Sequence, residues 1–260
     1  FAVAMRLGRQ LWPAFFMAAI WAVHPLSTEA VTNIIGRADL LAAGATLAAF
    51  LAYLRGTESS GAKRLTWLLV TALATTVGIF SKESAVAILG VAVLYDLTFR
   101  LPDTSLSRIV PGWTAIIVPL VFLWYARAVV LAGVPASFPA VDNPIVAADF
   151  WTGRLTALAI IPRYLWLIFW PQHLSADYSF NQIPVASGRV EDWLAWIVVL
   201  VVIASVLALV RRNRLAFFAA TAAFICFVPA SNLLVLSGTI MAERVVYLSS
   251  GGVISCGVMA

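Results

Sequence analysis

The chain has 260 residues, 62% of them hydrophobic and only 11% charged, with a formal net charge of +5 and a mean hydropathy of +0.96. A soluble domain is about half apolar and about a quarter charged, so these values exclude one and point to an all-α polytopic integral membrane helical bundle. The positive excess fits the Lys/Arg bias of cytoplasmic loops better than a nucleic-acid surface, and no nucleic-acid partner is expected.

Uncharged apolar runs cover residues 11–23, 40–54, 65–81, 109–126, 193–210, 215–242 and 245–260. A hydrocarbon core about 30 Å thick takes about 20 residues of helix, so several runs must draw their polar ends into the membrane. The chain opens on Phe1 and stops inside an apolar run, which reads as an excerpt of a longer protein. After the first run, Pro25 ends a helix and Ser27 or Thr28 can cap the next. A helix continuing from there carries Glu29, Asn33, Gly36 and Arg37 at i, i+4, i+7 and i+8, with Asp39 at the edge. The spacing predicts one stripe bearing a carboxylate, an amide and a guanidinium, either functional or tied up in interhelical bonds. His24, just ahead of it, suits a cap better than a catalyst.

Ser81-Lys82-Glu83-Ser84 splits the next apolar stretch into halves, each read as shorter than the roughly 20 residues of a span. The turn is therefore expected to lie recessed in a protein-lined cavity. There Lys82 suits an anion such as phosphate or pairs with a carboxylate of another helix. The Lys/Arg rule collects Arg6, Arg9, Arg55, Lys63, Arg64, Arg100, Arg108, Arg211, Arg212 and Arg214 on the cytoplasmic side, with Glu58, Asp96 and Asp103. All other carboxylates fall on the opposite side, where function is expected. That alternation holds only if residues 155–170 do not cross. They read as a re-entrant or interface-lying helix inside a non-cytoplasmic loop over 131–192, and Pro162, Arg163, Trp166 and Trp170 suit that placement. Beyond it, Asp177 and Tyr178 set an aromatic beside a carboxylate, a pairing for sugar binding or interface anchoring. Glu243 and Tyr247, at i and i+4, open the last helix beside Arg244. Cys226 and Cys256 sit within apolar segments as packing residues. With no zinc spacing, nucleotide loop or hydrolase elbow, no metal-ligating residues are assigned and no cofactor is expected, while a metal requirement is not decided by the sequence. The residues alone suit a transporter as well as an enzyme.

Four strings carry a resemblance. HPLSTEAVTNIIGRADLLAA at 24–43 resembles the HPxHTEAVxxIxGRADLLAA segment of the TMTC family, the transmembrane and tetratricopeptide-repeat proteins. FSKESAVAILGVAVLYDL at 80–97 is similar to that family's SKExAxxLPxxLxLYDL segment. Residues 142–184, ending in LSADYSFNQIP, resemble its outer-loop signature. SNLLVLSGTIMAERVVYLSS at 231–250 resembles its SNxxxxxGTxxAERxLYLPS segment. The resemblance implies a glycosyltransferase C-like fold whose first helix and first outer loop precede this chain, with tetratricopeptide repeats expected downstream and absent here. It implies transfer of a sugar, in animal members mannose from dolichyl-phosphate mannose, to protein Ser/Thr hydroxyls on the non-cytoplasmic side. The partners are then membrane lipid, a polyprenyl-phosphate sugar as co-substrate, and a protein acceptor.

In that light Lys82, Arg37, Arg244 and Arg163 are the candidates for binding the donor phosphate. His24, Glu29, Asn33, Asp39, Glu83, Asp177, Tyr178 and Glu243 are candidates for lining the sugar or acceptor, or for orienting the cations. Ser27 departs from the family's second histidine, which weakens that position as catalytic. The acidic motif that should supply the base belongs to the preceding loop, so the catalytic residues are not assigned and this stretch alone is expected to be inactive. Rival readings are a transferase to a lipid or glycan, a transporter or flippase, and a scaffold. The alanine- and arginine-rich composition favours a bacterial inner membrane over the endoplasmic reticulum.

Overall fold

The computed structural model describes residues 1–100, 105–133 and 138–259, and every regular element among them is a helix. α1 (Ala2–Gly8) and α2 (Leu11–Val23) are parted by Arg9, whose left-handed φ of 52° stops the first helix. Pro25 ends α2, and a 3-10 turn (Pro25–Ser27) runs into α3 (Thr28–Thr32) at a bend of 53°. α4 (Arg37–Glu58) and α5 (Gly61–Ser81) form a hairpin. Lys82 is extended, a 3-10 turn covers Glu83–Val86, and α6 (Ala87–Phe99) and α7 (Leu106–Val130) follow. α8 (Phe150–Phe169) starts at Asp149, whose carboxylate accepts from the Trp151 and Thr152 amides at 3.0 and 3.2 Å. Asn213 separates α9 (Val190–Arg212) from α10 (Arg214–Phe227) and caps the latter, accepting at 3.1 Å from Leu215 and Ala216. A 3-10 turn (Glu243–Val246) leads into α11 (Tyr247–Met259).

α4, α5, α7 and α9 are long and apolar enough to cross a bilayer, and α2 with Pro25–Thr32 makes a fifth if the bent pair is one span. The protein is an integral membrane helical bundle. Threonine is tolerated in these helices because its hydroxyl is spent internally: Thr71, Thr75 and Thr76 donate to carbonyls four residues back at 2.8–2.9 Å. α4, α6, α7 and α10 meet around Phe50, Tyr53, Ile88, Ile116 and Phe218, with the Phe50 and Phe218 rings stacked 5.9 Å apart. Gly112 lets α7 approach so closely that a Cβ there would overlap the Tyr53 ring. Next to this core the fully buried Asp96 accepts from Tyr53, from the Trp113 indole at 2.8 Å and from Arg100 at 3.4 Å. A buried carboxylate is tolerable only when its lone pairs are taken up in this way.

Long-range polar contacts sort the helix termini into two ends. At one, Arg6 pairs with Glu58, Arg64 donates to the Ser107 and Arg108 carbonyls, and Asn213 donates to the Met259 carbonyl. At the other, Lys82 meets Asp39, Arg127 meets Glu83, Arg244 meets Glu29, and His24 reaches the Ile168 carbonyl. α8 touches this second end with both of its own. Arg154 near its start donates to the Asn232 carbonyl, just past α10, at 3.0 Å. Ile168 near its finish accepts from His24 at 2.8 Å. Both termini of this twenty-residue helix thus make contact at the same end of the bundle.

Three sequence expectations change. No single helix carries Glu29, Asn33 and Arg37 on one stripe: the chain leaves the helix at Asn33, whose ψ of 136° is extended, and α4 begins afresh at Arg37. Gly36 makes that turn possible by resting against the backbone of Ala30, where no side chain fits. The stretch before Lys82 is not shorter than a span, because α5 starts at Gly61 and takes Lys63 and Arg64 into its first turn. The helix expected over 155–170 begins earlier, at Phe150. Asp103 and residues 134–137 of the outer loop lie outside the described residues.

Candidate functional site

Three turns converge at the end that α8 covers: the α3–α4 turn, the Lys82 turn, and the turn ahead of α11. Each brings charge. Glu29, buried in α3, pairs with the Arg244 guanidinium and also accepts from the Arg244 backbone amide at 2.8 Å. Asp39, in the first turn of α4, accepts from the Lys82 ammonium at 2.5 Å. Both carboxylates are buried, while the Lys82 and Arg244 side chains keep 28% and 20% exposure. Two anions therefore hold two cations toward the less buried side.

Asp39, Thr46, Ser84, Arg244 and Tyr247 line a small pocket of about 20 Å³, room for about one water. Two buried oxygens there, Asp39 Oδ2 and Thr46 Oγ1, have no hydrogen-bond partner among the described residues. Thr46, Cys226 and Leu248 also line a second cavity, an apolar groove of about 700 Å³ walled by α1, α2, α4, α10 and α11 with Val91 of α6. It runs from Asn213 and Met259 at one end of the bundle to Trp21 and Leu248 at the other. The small side chains of Ala14, Ala18, Ala219, Ala222, Gly251 and Gly252 give it width. A small polar pocket lined by Arg244 and by the Asp39 that holds Lys82 thus stands at the head of an apolar channel.

α8 and the loop that follows it close over this mouth. Tyr164 on α8 accepts from the Ala242 amide at 3.0 Å and donates to the Ala242 carbonyl at 3.3 Å. Glu243 accepts from the Tyr178 hydroxyl at 2.8 Å and from the Ser175 amide at 2.6 Å. Burial pushes the Glu243 carboxyl above its ordinary range, opposed by these two bonds and reinforced by the nearby Glu29 charge. Burial, then the bond to Glu243, push the Tyr178 phenol up as well. Asp177 serves its own turn: bonds from Ser179 hold its exposed carboxyl below the usual range.

Of the sequence candidates, the structure brings together Glu29, Asp39, Lys82 and Arg244, with Tyr178 and Glu243 beside them. Glu243 and Tyr247 do not pair, since the Tyr247 ring lies 4.9 Å from that of Trp21 while Glu243 turns to the outer loop. Glu83 pairs with Arg127 on the exposed surface. Asn33 is exposed and accepts from the Ile35 amide, Arg37 is exposed at the start of α4, and Arg163 is exposed on α8. His24 spends both ring nitrogens, Nδ1 on the Leu26 amide and Nε2 on the Ile168 carbonyl, and so caps a turn. Among the described residues no group of His, Cys, Asp and Glu could hold a metal ion. Sequence reasoning missed the clamp beneath the outer loop. Fully buried Asn143 donates to Asn232 Oδ1 at 3.0 Å and to the Ser237 carbonyl at 2.7 Å, and Asn232 donates to the Thr239 carbonyl at 3.1 Å. The signal was two asparagines amid apolar sequence, each opening a quoted string, and neither was given a partner.

Residues 132–207 match the family model described as Protein O-mannosyl-transferase TMTC, DUF1736. Human protein O-mannosyl-transferase TMTC3 is 27% identical over 260 residues, taking in 90% of this chain and 28% of that protein. The human TMTC4 relative is 29% identical over 273 residues, 90% of this chain and 36% of its own length. Drosophila melanogaster Tmtc2 is 31% identical over 186 residues, 70% of this chain and 20% of the fly protein. The chain thus spans about a fifth to about a third of the length of these relatives. No solved structure matches it. With the outer-loop match and the long alignments in agreement, the chain belongs to the TMTC family.

Proposed function

We propose that the full-length protein is a membrane glycosyltransferase that moves a sugar, mannose, from a polyprenyl-phosphate donor to protein Ser/Thr hydroxyls on the non-cytoplasmic side. The names of the relatives support protein O-mannosyl transfer. The observation that carries the donor class is the pairing of Lys82 and Arg244, braced by buried carboxylates, with an apolar groove directly beneath. A departing lipid phosphate needs fixed cations where its charge develops, and its hydrocarbon chain needs an apolar path. Lys82 uses one of its three N–H donors on Asp39, and Arg244 keeps guanidinium donors free after Glu29. Asp39 and Glu29 position the cations, while Tyr178 and Glu243 border the sugar or acceptor side. Arg37 and Arg163, exposed and apart from the cluster, have no part in phosphate binding on this reading. The base that takes the acceptor proton comes from an acidic loop preceding this stretch, and the stretch alone is inactive.

The greater length of the relatives supports further domains, and the family resemblance implies tetratricopeptide repeats among them. Composition supports a bacterial inner membrane, although the relatives named above come from human and fly. A lipid flippase is the second reading, favoured by the groove reaching from one end of the bundle to the other. The test is reconstitution of the full-length protein in vesicles with radiolabelled polyprenyl-phosphate mannose and a Ser/Thr-rich acceptor peptide. Label on the peptide supports the proposal. Label on a lipid or glycan moves the acceptor class, and donor crossing the bilayer without transfer favours the flippase.

A further inference from the structure

α8 is built like a helix with two neighbours of different kinds. One face, through Thr156, Ile160, Tyr164, Leu167 and Ile168, is buried against the bundle core. The opposite face carries Trp151, Leu155, Trp166 and Phe169, which at about 100° per residue fall on one narrow stripe. Trp151, Trp166 and Phe169 keep 72%, 64% and 70% of their surface exposed. So large an apolar aromatic patch is not left to water on a protein surface without a partner.

Three observations select the partner. The helix lies across the end of the bundle, with both termini among the same turns. Its exposed stripe contains no carboxylate, and it is flanked by Arg154 on one edge and the exposed Arg163 beside Trp166 on the other. Tryptophan and arginine together on one face are the composition of helices seated at the lipid headgroup level. The stripe is also continuous with lipid-facing surface: the Leu155 carbonyl accepts from the Trp196 indole of α9 at 3.0 Å. From there Trp193, Leu194 and Ile197 lead down α9, a span only 6% buried in the bundle.

We infer that α8 is an interfacial anchor whose Trp151–Phe169 stripe is seated in the headgroup region of the outer leaflet, the lipid surface itself being its partner. Its buried face then hangs the outer loop from the membrane surface. Tyr164 fixes Ala242, the Ile168 carbonyl fixes His24, and the loop that follows lays Tyr178 on Glu243. The anchor sets the depth of the Lys82–Arg244 mouth, and it stands whether or not the protein transfers sugar.

The test is site-directed spin labelling of the full-length protein in phosphatidylcholine vesicles, with Cys226, Cys256 and every further cysteine of the full-length chain replaced by Ala as background. Single labels go at Trp151→Cys, Leu155→Cys, Trp166→Cys and Phe169→Cys, and each is read for collision with oxygen and with a neutral nickel chelate. The inference expects oxygen to dominate at all four sites with one shallow depth in common. Dominance by nickel (an aqueous face), low access to both reagents (a covering protein), or depth changing steadily along the helix (a span) would each overturn it. Should the cysteine-free background fail to fold, the native-cysteine protein is compared with Trp151→Phe/Trp166→Phe in vesicles of lipid brominated close to the headgroup. Loss of part of the quenched tryptophan emission supports the anchor, and unchanged quenching contradicts it.

Discussion

Glu29 and Arg244 lie 215 residues apart and still make the central pair of the mouth. Helical spacing offered Glu29 a partner eight residues away in Arg37; the chain gave it one from the last turn instead. The reason is local. α3 lasts only five residues, and Asn33 with Gly36 breaks the helix before Arg37 can come round to the same face. The residue types of the cluster could be read from the sequence, because ionisable groups inside apolar stretches are costly and stand out. Their pairing could not be read, because it depends on which turns the bundle brings together. Glu29→Gln leaves the Arg244 guanidinium uncompensated and is expected to cost roughly 3 kcal/mol, near the low end for breaking a buried pair. The low end applies because the Arg244 side chain keeps 20% exposure. Thermal denaturation in detergent measures this, and the Glu29→Gln/Arg244→Met double variant should lose less than the sum of the single losses. A strictly additive pair would argue against the contact. Glu243 gives a pH signature. Its carboxyl is raised by burial, so folding favours its protonated form. This contribution to stability is full below pH 4.5, the ordinary value, and is lost as pH rises through the folded value. Glu243→Gln should remove that slope from denaturation profiles recorded between pH 4 and 8, while keeping an oxygen to accept from Tyr178 and Ser175.

Among the elements, the apolar runs located the spans and missed their ends. α5 reaches back to Gly61 because Lys63 and Arg64 sit in its first turn, where long basic side chains reach past the apolar zone to the interface. The placement expected for α8 rests on charge alternation and not on its own sequence, whose apolar content does not separate a span from a helix lying flat. The contacts of Arg154 and Ile168 with one end of the bundle are the observations from which its interfacial seat is proposed. The Asn143–Asn232 clamp stayed hidden for the same reason as the Glu29–Arg244 pair, its two halves being 89 residues apart. The α8 cap can be tested: Asp149→Ala removes the acceptor of two amides and should cost about 1 kcal/mol, read as a lower melting temperature. At the other turn, Gly36→Ala puts a Cβ into the backbone of Ala30. It should destabilise by about 1–3 kcal/mol and displace Asp39 along with the start of α4. An unchanged melting temperature would mean that the α3–α4 turn is looser than described.

For the whole molecule, composition and Lys/Arg placement sufficed for an all-helical membrane bundle, since a bilayer admits few alternatives. They could not reveal that six helices leave an apolar groove of about 700 Å³ between them, or that its head coincides with the charged mouth. Cavities are made by packing, and packing leaves no periodic trace in a sequence. The central claim is that Lys82, held by Asp39, meets the donor phosphate at that mouth. It is tested most directly by initial rates of mannose transfer from polyprenyl-phosphate mannose, using full-length wild type, Lys82→Ala and Lys82→Arg in one lipid mixture. The account predicts that Lys82→Ala lowers transfer by about 100-fold, as loss of a fixed electrostatic stabiliser does, and that Lys82→Arg recovers a substantial part of it. Transfer by Lys82→Ala at the wild-type rate would contradict it, and would reduce the Lys82–Asp39 pair to a structural tie between two helices.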